Sequence, residues 1–264
     1  MDQRKELIVR ALEDYRAGAF QSIIERNDAA VRRAEGMELR SGVLGGEPPN
    51  ELEIDVAGLR MEIDLLHSQK TGFYLDQLPN YALVAEHAKG RVLDCFTSQG
   101  GFALACARAG ASEVVAVEAN AESVRVAKRN AAGNSLTIRF VEQDVFQFLR
   151  ATEKAAEIFD LIILDPPSFT KSKGALHDAL RGYKELHVRA FRLLAPNGFL
   201  ATFSCSHHVS AEAFEKMIAD ALVDARRSAR RLGRFEQSLD HPILPTIPET
   251  EYFRGMLLEM MPGR

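Results

Sequence analysis

The sequence predicts an α/β fold in which a mostly parallel β-sheet is covered by helices on both faces. From residue 91 onward, strand-like and helix-like runs alternate along the chain, which is typical of parallel βαβ units. The strand-like runs are apolar with little alternation, as expected for strands buried on both faces. Residues 1–65 have a different pattern and predict a separate small α+β unit. We therefore expect two domains, residues 1–65 and residues 66–264.

Short elements are predicted in the N-terminal domain. Residues 1–20 alternate apolar and charged positions at helical spacing. The runs QSIIERN and ELEIDVAGLRMEIDLL predict short strands, because apolar residues alternate with polar ones. The run SGVLGGEPPN between them is rich in glycine and proline and predicts a loop. The stretch HSQKTGFYLDQLPNY then leads into a helix.

The second domain predicts a regular succession of strands and helices. Strands are predicted over RVLDCF, SEVVAVEAN, LTIRFVEQD, FDLIILDPPSF, GFLATFSCS and the end of the C-terminal tail. Helices are predicted over GGFALACARAGA, AESVRVAKRNAAGN, VFQFLRATEKAAE, residues 177–195 and SAEAFEKMIADALVDARR. Pro196, Asn197 and Gly198 are predicted to end one helix, and Ser210 to cap the next.

The composition indicates the cellular compartment of the protein and argues against a membrane span and a metal site. The chain has 264 residues and a net charge of −4. No apolar run approaches the roughly 18 residues that a membrane-spanning helix needs. Cys95, Cys106 and Cys205 are scattered without metal-binding spacing. We expect a cytoplasmic protein with no membrane partner and no metal.

Acidic residues stand at the ends of the predicted strands. The carboxyl ends of parallel strands meet at one edge of a sheet, which is where ligands of such folds bind. Asp94, Glu118 and Asp144 end the first three strands of the second domain. Glu118 is placed to accept hydrogen bonds from both ribose hydroxyls, and Asp144 from the amine of adenine. Gly100 and its neighbour Gly101 would let the backbone approach the ligand.

The nature of the first turn favours a nucleoside cofactor without a phosphate. A dinucleotide site requires the spacing G-x-G-x-x-G after the first strand. The sequence instead reads TSQGGF over residues 97–102. S-adenosylmethionine (SAM) is therefore favoured over NAD. Each acidic strand end alone is more often a helix cap or a solvated residue, so the prediction rests on their agreement.

The turn after the fourth strand of this domain points to a flat substrate. Asp165, Pro166 and Pro167 stop the strand and fix an extended turn, which on the simplest interpretation only stiffens the loop. The same Asp-Pro-Pro turn is typical of enzymes that methylate nucleobase rings or amines. There it binds the base edge, while an aromatic residue such as Phe169 stacks on the base face.

Cys205 differs from the other two cysteines in its position. Cys95 and Cys106 lie in a strand and a helix, and we interpret both as buried. Cys205 follows the strand expected to lie beside the one that ends in Asp165, so both ends face one crevice. A thiolate that attacks carbon 6 of a pyrimidine makes carbon 5 nucleophilic toward a sulfonium methyl. We therefore predict a catalytic nucleophile.

Six motifs then occur in order along the chain: KTGFYLDQ, VLDCFTSQGGFA, FDLIILDPPSF, RGYKELH, FSCSHH and DHPILPTIPETEYFRG. Together they resemble large-subunit rRNA cytosine-5 methyltransferases of the ribosomal RNA large subunit methyltransferase I type. The resemblance runs from about residue 28 to the C-terminus. It implies a Rossmann-like class I SAM-dependent methyltransferase with a seven-stranded sheet. Family members usually begin with a PUA domain; we expect none in residues 1–65, which are instead expected to be part of the family's central α+β domain.

The resemblance also implies roles for individual residues. Cys205 would be the nucleophile, and Asp165 would face both the cofactor and the target base. The residues expected to bind SAM are Phe73, Tyr74, Gln77, Asp94, Ser98, Gly100, Glu118, Asp144, Val145 and Asp165. The residues expected to bind the substrate are Pro166, Pro167, Phe169, Lys171 and Lys173.

The expected partner is 23S rRNA or an intermediate of large-subunit assembly, with the oligomeric state left open between a monomer and a homodimer. Lys171 and Lys173 follow the Asp-Pro-Pro turn and are the predicted phosphate contacts. The basic run over residues 226–234 is another local candidate for RNA contact, although such a charge run is more often a solvated helix face. Two alternatives stay open. One is methylation of a guanine or adenine nitrogen, which needs no thiol; the other is a catalytically silent protein that binds SAM or RNA.

Overall fold

The computed structural model describes residues 2–29, 31–47, 52–66, 73–170, 174 and 176–262. The chain forms two compact units, which we describe separately. The smaller unit comprises Met1–Val56 and Arg60–Tyr74, and the larger unit comprises Ala57–Leu59 and Leu75–Arg264.

The smaller unit is built from short elements. They are α1 (Lys5–Tyr15), β1 (Ser22–Asn27), α2 (Val31–Ala34), β2 (Arg40–Gly46), β3 (Leu52–Val56) and β4 (Leu59–Ile63). β1 pairs antiparallel with β2, and β3 pairs with β4 in a second two-stranded sheet.

The loop predicted for SGVLGGEPPN is wrong over its first part, because residues 41–46 belong to β2. Ser41 pairs with Arg26, and Val43 pairs with Ile24. These partners lie well upstream in the sequence. Pairing with β1 provides backbone hydrogen bonds that outweigh the weak strand propensity of glycine.

The larger unit contains the elements that alternate along the chain. They are α3 (Leu78–Ala85), β5 (Arg91–Cys95), α4 (Gly101–Arg108), β6 (Glu113–Glu118), α5 (Ala121–Gly133), β7 (Arg139–Glu142), α6 (Val145–Lys154), β8 (Phe159–Leu164), α7 (Leu176–Leu193), β9 (Leu194–Ser204), α8 (Ala211–Ala225), β10 (Ala229–Phe235) and β11 (Arg254–Met260). A 3-10 turn, Leu75–Gln77, precedes α3.

The sheet of the larger unit has seven strands in the order β10-β11-β9-β8-β5-β6-β7. The strands from β9 to β7 are parallel, whereas β11 is antiparallel to both of its neighbours. Successive residues of β8, Leu161–Leu164, are all fully buried, so both faces of the sheet are covered. The predicted α/β fold with a mostly parallel seven-stranded sheet is confirmed.

The strand order places a crevice at the carboxyl end of β5. The chain moves from β5 outward to β6 and β7, and later crosses to the other side of β5 to form β8 and β9. Such a switch point separates the loops that follow the central strands and opens a binding crevice between them.

Two details of the larger unit differ from the sequence prediction. Residues 196–198 do not form a separate turn, but lie within β9, where the register against β8 shifts. Asn197 there has a left-handed backbone (φ 62°). The basic run over residues 226–234 is also not a helix face, because most of it forms the edge strand β10.

The arginines of β10 are ion-paired. Arg230 contacts Glu259 at 2.5 Å, and Glu215 of α8 contacts Arg231 at 3.2 Å and Arg234 at 2.5 Å. Two glutamates therefore partly offset the charge of these three arginines.

Among the described residues, no helix has the length and apolarity needed to cross a membrane.

Candidate active site

The site lies where the central parallel strands end. Cys95, the last residue of β5, pairs with Val117 of β6 and with Leu164, the last residue of β8. Leu164 in turn pairs with Thr202 of β9. The residues that follow these strands therefore emerge at one edge of the sheet.

Asp94 organises the loop between β5 and α4. One carboxylate oxygen, Oδ2, accepts hydrogen bonds from Thr97 Oγ1 at 2.5 Å and from the backbone N–H of Ala103 at 3.0 Å. The second bond reaches an N–H in the first turn of α4, which has no partner within the helix. Asp94 thus satisfies the N-terminus of this helix from the neighbouring strand.

The environment of Asp94 is unusual for a carboxyl group. Its side chain is 1% exposed, and Oδ1 has no hydrogen-bond partner among the described residues. Burial raises the pKa of Asp94 to about 7, and the nearby Asp165 charge also raises it, while the Thr97 hydrogen bond opposes the shift. A buried acceptor oxygen without a partner is expected where a ligand donates a hydrogen bond.

Glu118 holds the other side of the same loop. Its carboxylate accepts hydrogen bonds from the backbone N–H groups of Ser98 at 3.1 Å and Asn120 at 2.9 Å. Ser98 has a left-handed backbone (φ 50°), so this bond supports a tight turn. The predicted cofactor residues Ser98 and Glu118 are thus in direct contact.

Asp144 caps a helix next to Glu118. Its side chain accepts a hydrogen bond from the backbone N–H of Gln147 at 2.9 Å and forms the N-cap of α6. Gln143 donates its backbone N–H to the Glu118 carbonyl at 3.0 Å, which keeps the two acidic strand ends adjacent. Val145 is buried in the first turn of α6. The cap uses one carboxylate oxygen of Asp144.

Glycine is required at position 100 for its backbone conformation and at position 101 for close packing. Gly100 has a φ of 93°, which favours glycine. A Cβ on Gly101 would lie only 2.5 Å from the Tyr81 ring. At Gly101, therefore, the close approach that glycine permits is to an aromatic side chain of α3.

Asp165 and the prolines after it form a supported turn. Gln77 donates from its side-chain amide to Asp165 Oδ2 at 3.0 Å. Pro166 is buried and Pro167 is exposed. The hydroxyl of the buried Tyr183 in α7 lies 3.5 Å from the Pro167 carbonyl. The turn is thus fixed from both the Gln77 side and the α7 side.

Phe169 belongs to an aromatic cluster beside this turn. Its ring centroid lies 4.6 Å from that of Tyr183, 6.0 Å from Phe146 and 6.4 Å from Phe96. It is partly buried against the core. These contacts fix the ring position, and stacking on a base stays a prediction.

The three cysteines have different environments. Cys95 and Cys106 are fully buried, as predicted, and burial raises the pKa of both thiols well above the usual range. Cys205 follows β9 directly and is half-buried. It is the only one of the three with solvent access, and β9 lies beside β8, the strand that Asp165 directly follows.

Three residues near this edge carry no predicted role. Tyr183 lies under the Asp-Pro-Pro turn, and Tyr252 donates its hydroxyl to Asp76 Oδ2 at 2.8 Å. Each lies within one of the six ordered motifs. The motifs mark them as candidates, but their partners are distant in sequence and become visible only in the structure.

The remaining predicted residues fall elsewhere. Lys171 and Lys173 lie outside the described residues. Phe73 and Tyr74 belong to the smaller unit, and their contribution to the cofactor site stays a prediction. Within the described ranges, no cluster of three or more His, Cys, Asp or Glu side chains is suited to hold a metal ion.

Comparison with known proteins gives two kinds of match. The model of the S-adenosylmethionine-dependent methyltransferase family matches residues 10–249. Similar curated proteins include the ribosomal RNA large subunit methyltransferase I of Tolumonas auensis, 44% identical over 90% of this chain and 61% of that protein. The Aeromonas salmonicida protein of the same name is 42% identical over 97% of this chain and 65% of its own length.

Similar solved structures show the same fold at low sequence identity. A candidate SAM-dependent methyltransferase from Streptococcus mutans has a TM-score of 0.81 and 22% identity, over 97% of this chain and 65% of that one. The M. jannaschii tRNA m1G37 methyltransferase has a TM-score of 0.60 and 15% identity, over 98% and 69%. The chain spans 61–65% of the length of the curated relatives described above.

Proposed function

The chain belongs to the S-adenosylmethionine-dependent methyltransferase family, and we propose that it methylates carbon 5 of a cytosine in large-subunit ribosomal RNA. The RNA class is proposed from the names of the curated relatives, and the atom from the chemistry of the site. The observation that carries the proposal is the half-buried Cys205, which directly follows β9, the strand paired with the one that Asp165 follows. We propose 23S rRNA, free or within an assembly intermediate, as the partner.

The residues at the sheet edge fit a SAM molecule. When bound, SAM supplies an electrophilic methyl group on a sulfonium. Asp94 Oδ1 is a buried acceptor without a partner among the described residues, which suits the ammonium group of the methionine part. Glu118 would hold the ribose hydroxyls and Asp144 the adenine amine, with lone pairs that their backbone contacts leave available.

Asp165 and the proline turn are suited to hold a cytosine. The exocyclic amine of cytosine is a hydrogen-bond donor, which a carboxylate can accept. Gln77 fixes the Asp165 carboxylate through its amide. Because the prolines restrict the backbone, the turn can orient a base without reorganising when the base arrives.

Cys205 would act as the nucleophile of this reaction. Its thiolate forms a bond to carbon 6, and the electron pair of the carbon 5–carbon 6 double bond makes carbon 5 nucleophilic. Carbon 5 then accepts the methyl group. Loss of the carbon-5 proton restores the double bond as the carbon 6–sulfur bond breaks, and the thiolate returns to Cys205.

Analysis of the methylated nucleoside tests this proposal. The protein is incubated with large-subunit rRNA and isotopically labelled SAM, and the RNA is digested for mass spectrometry. We expect labelled 5-methylcytidine from the wild type, and none above background from Cys205→Ala. The buried Cys106→Ala variant is the matched control and should keep activity.

Two results would contradict the proposal. Label on a guanine or adenine nitrogen would assign a different atom, and that route leaves Cys205 without a catalytic role. Full formation of 5-methylcytidine by Cys205→Ala would exclude the covalent mechanism.

A further inference from the structure

The 3-10 turn Leu75–Gln77 connects two parts of the site through consecutive residues. Gln77 donates to Asp165 Oδ2 at 3.0 Å, and the neighbouring Asp76 accepts the Tyr252 hydroxyl at 2.8 Å. Asp76 and Gln77 are only 8% and 2% exposed. A single short turn therefore positions the base-binding carboxylate on one side and a tyrosine hydroxyl on the other.

This turn is itself held firmly. The Gln77 side-chain oxygen accepts from Asn80 Nδ2 at 2.9 Å, which fixes the orientation of the Gln77 amide. Ser238 donates its backbone N–H to the Asp76 carbonyl at 3.2 Å and its hydroxyl to the Leu75 carbonyl at 3.0 Å. These bonds fix the backbone of the turn that carries Asp76 and the side chain of Gln77.

The sheet register brings Tyr252 close to Cys205, one position away from being level with it. Arg254 of β11 pairs with Ser204 of β9 in antiparallel register. Continued past the strand ends, this register sets Phe253 level with Cys205 and Tyr252 level with the residue after it. The ring of His207, two residues beyond Cys205, has its centroid 5.3 Å from that of Tyr252.

The electrostatic surroundings keep Tyr252 protonated. Burial and the hydrogen bond to Asp76 raise the pKa of Tyr252 above its usual range, and a thiolate charge on Cys205 raises it further. The phenol therefore does not act as a free phenolate near neutral pH. It can accept a proton only if it passes its own proton on to the Asp76 carboxylate.

We propose that Tyr252 and Asp76 form the proton-accepting pair that removes the carbon-5 proton in the last step of the reaction. This inference rests on the proposed carbon-5 methylation. The carbon-5 proton moves to Tyr252 Oη as the Tyr252 proton moves to Asp76. The electron pair of the broken C–H bond forms the carbon 5–carbon 6 double bond, and the carbon 6–sulfur bond breaks to regenerate the Cys205 thiolate.

Loss of this pair should stop the reaction after methyl transfer. Without an acceptor for the carbon-5 proton, the methylated base stays bonded to Cys205. In Tyr252→Phe and Asp76→Asn we therefore expect a methyl-labelled protein–RNA adduct on ordinary cytidine RNA. Release of methylated RNA should fall by about 100-fold or more, the usual contribution of general acid–base catalysis.

The test is a denaturing gel with labelled SAM and rRNA transcripts. Wild type on cytidine RNA should show little adduct, whereas wild type on 5-fluorocytidine RNA should be trapped, because fluorine cannot leave as a proton. Tyr15→Phe is the matched control, since Tyr15 is 82% exposed in α1. It should release methylated RNA like the wild type. Thermal unfolding and SAM titration confirm that each variant folds and binds the cofactor.

Three outcomes would overturn the inference. Normal release of methylated RNA by Tyr252→Phe would show that its hydroxyl is not needed. Loss of both the adduct and the product in folded, SAM-binding variants would give the pair a positioning role before methyl transfer. Adduct accumulation in His207→Ala but not in Tyr252→Phe would assign the proton to the histidine. If wild type forms no adduct with 5-fluorocytidine RNA, the proposed carbon-5 route itself is wrong.

Discussion

At the scale of single residues, burial separates the groups that support the fold from those available to ligands. Cys95 and Cys106 are enclosed and their thiols are held neutral, while Cys205 is half-buried at a strand end. Asp94 combines both roles. Its Oδ2 is used within the protein, whereas its Oδ1 is buried with no partner among the described residues. Because the two oxygens have different roles, we expect a substitution of Asp94 to change SAM binding.

We expect Asp94→Asn to bind SAM at least about tenfold more weakly, which corresponds to about 1.4 kcal/mol. The asparagine oxygen can keep both hydrogen bonds made by Oδ2, which places the amide NH₂ at the position of Oδ1. A donor there opposes the ammonium group of the cofactor. Calorimetric titration with SAM measures the change, and the exposed Asp220→Asn in α8 is the control. Equal affinity in wild type and Asp94→Asn would contradict this assignment.

At the scale of elements, the loop from β5 to α4 depends on close packing against α3. Gly101 begins α4, and the Tyr81 ring occupies the space that a side chain at Gly101 would need. Tyr81 also contacts Phe102 in an edge-to-face arrangement, with centroids 4.6 Å apart. The position of the loop is therefore set partly by aromatic packing beneath it.

Gly101→Ala should destabilise the protein by about 1–3 kcal/mol, because an added methyl group forces the Tyr81 ring to move. Gly133→Ala is the matched control. A Cβ at this helical position meets no atom within 4 Å, so stability should be unchanged or slightly higher. Urea unfolding of both variants checks the difference. Wild-type stability of Gly101→Ala would show that the ring adapts without cost.

The sequence predicts the elements that form the site better than those at the edges. Polar residues lie at the ends of the apolar strands β5, β6, β8 and β9 or directly after them, so the order of these strands along the chain predicts which residues meet. β2 and β10 are less predictable, because their residues are glycine-rich or arginine-rich and their strand state depends on distant partners. Local composition predicts a loop for one and a solvated helix face for the other.

At the scale of the whole molecule, two buried groups have opposite effects on stability. Burial raises the pKa of Asp94 to about 7, whereas it lowers the pKa of His187 to about 4. Between about pH 4.5 and 6.5, the folded state holds a proton on Asp94 that the unfolded chain has lost. The unfolded chain holds a proton on His187 that the folded state lacks. The two effects offset each other, so together they leave the free energy of unfolding nearly independent of pH in this range.

Removing the Asp94 carboxyl should reveal the pH dependence of the unfolding free energy that comes from His187. Relative to wild type, the unfolding free energy of Asp94→Asn should rise by about 1.4 kcal/mol per pH unit between about pH 4.5 and 6.5. In the wild type, the protonated carboxyl of Asp94 makes its full contribution to the unfolding free energy below about pH 4. This contribution is lost as the pH rises through about 7. Urea unfolding at several pH values measures the slope. Parallel curves for the two proteins would contradict the raised pKa of Asp94.

The site residues that the sequence does not predict are those held by hydrogen bonds between distant parts of the chain. Tyr252 and Asp76 are 176 residues apart, and Gln77 and Asp165 are 88 apart. No local pattern links such residues, because the contacts depend on strand order and on the paths of the loops. The sequence therefore predicts the nucleophile and the acidic strand ends, while the groups that orient them and the proposed proton acceptor emerge from the folded chain.

The covalent role of Cys205 is tested most directly by identifying the residue that bonds to RNA. 5-Fluorocytidine rRNA is incubated with SAM and protein, and the trapped adduct is digested for peptide mass spectrometry. We expect one modified peptide, containing Cys205 joined to a methylated fluorocytidine, and no adduct without SAM. Methyl transfer to the RNA without any adduct, or an adduct at another residue, would contradict the covalent role of Cys205.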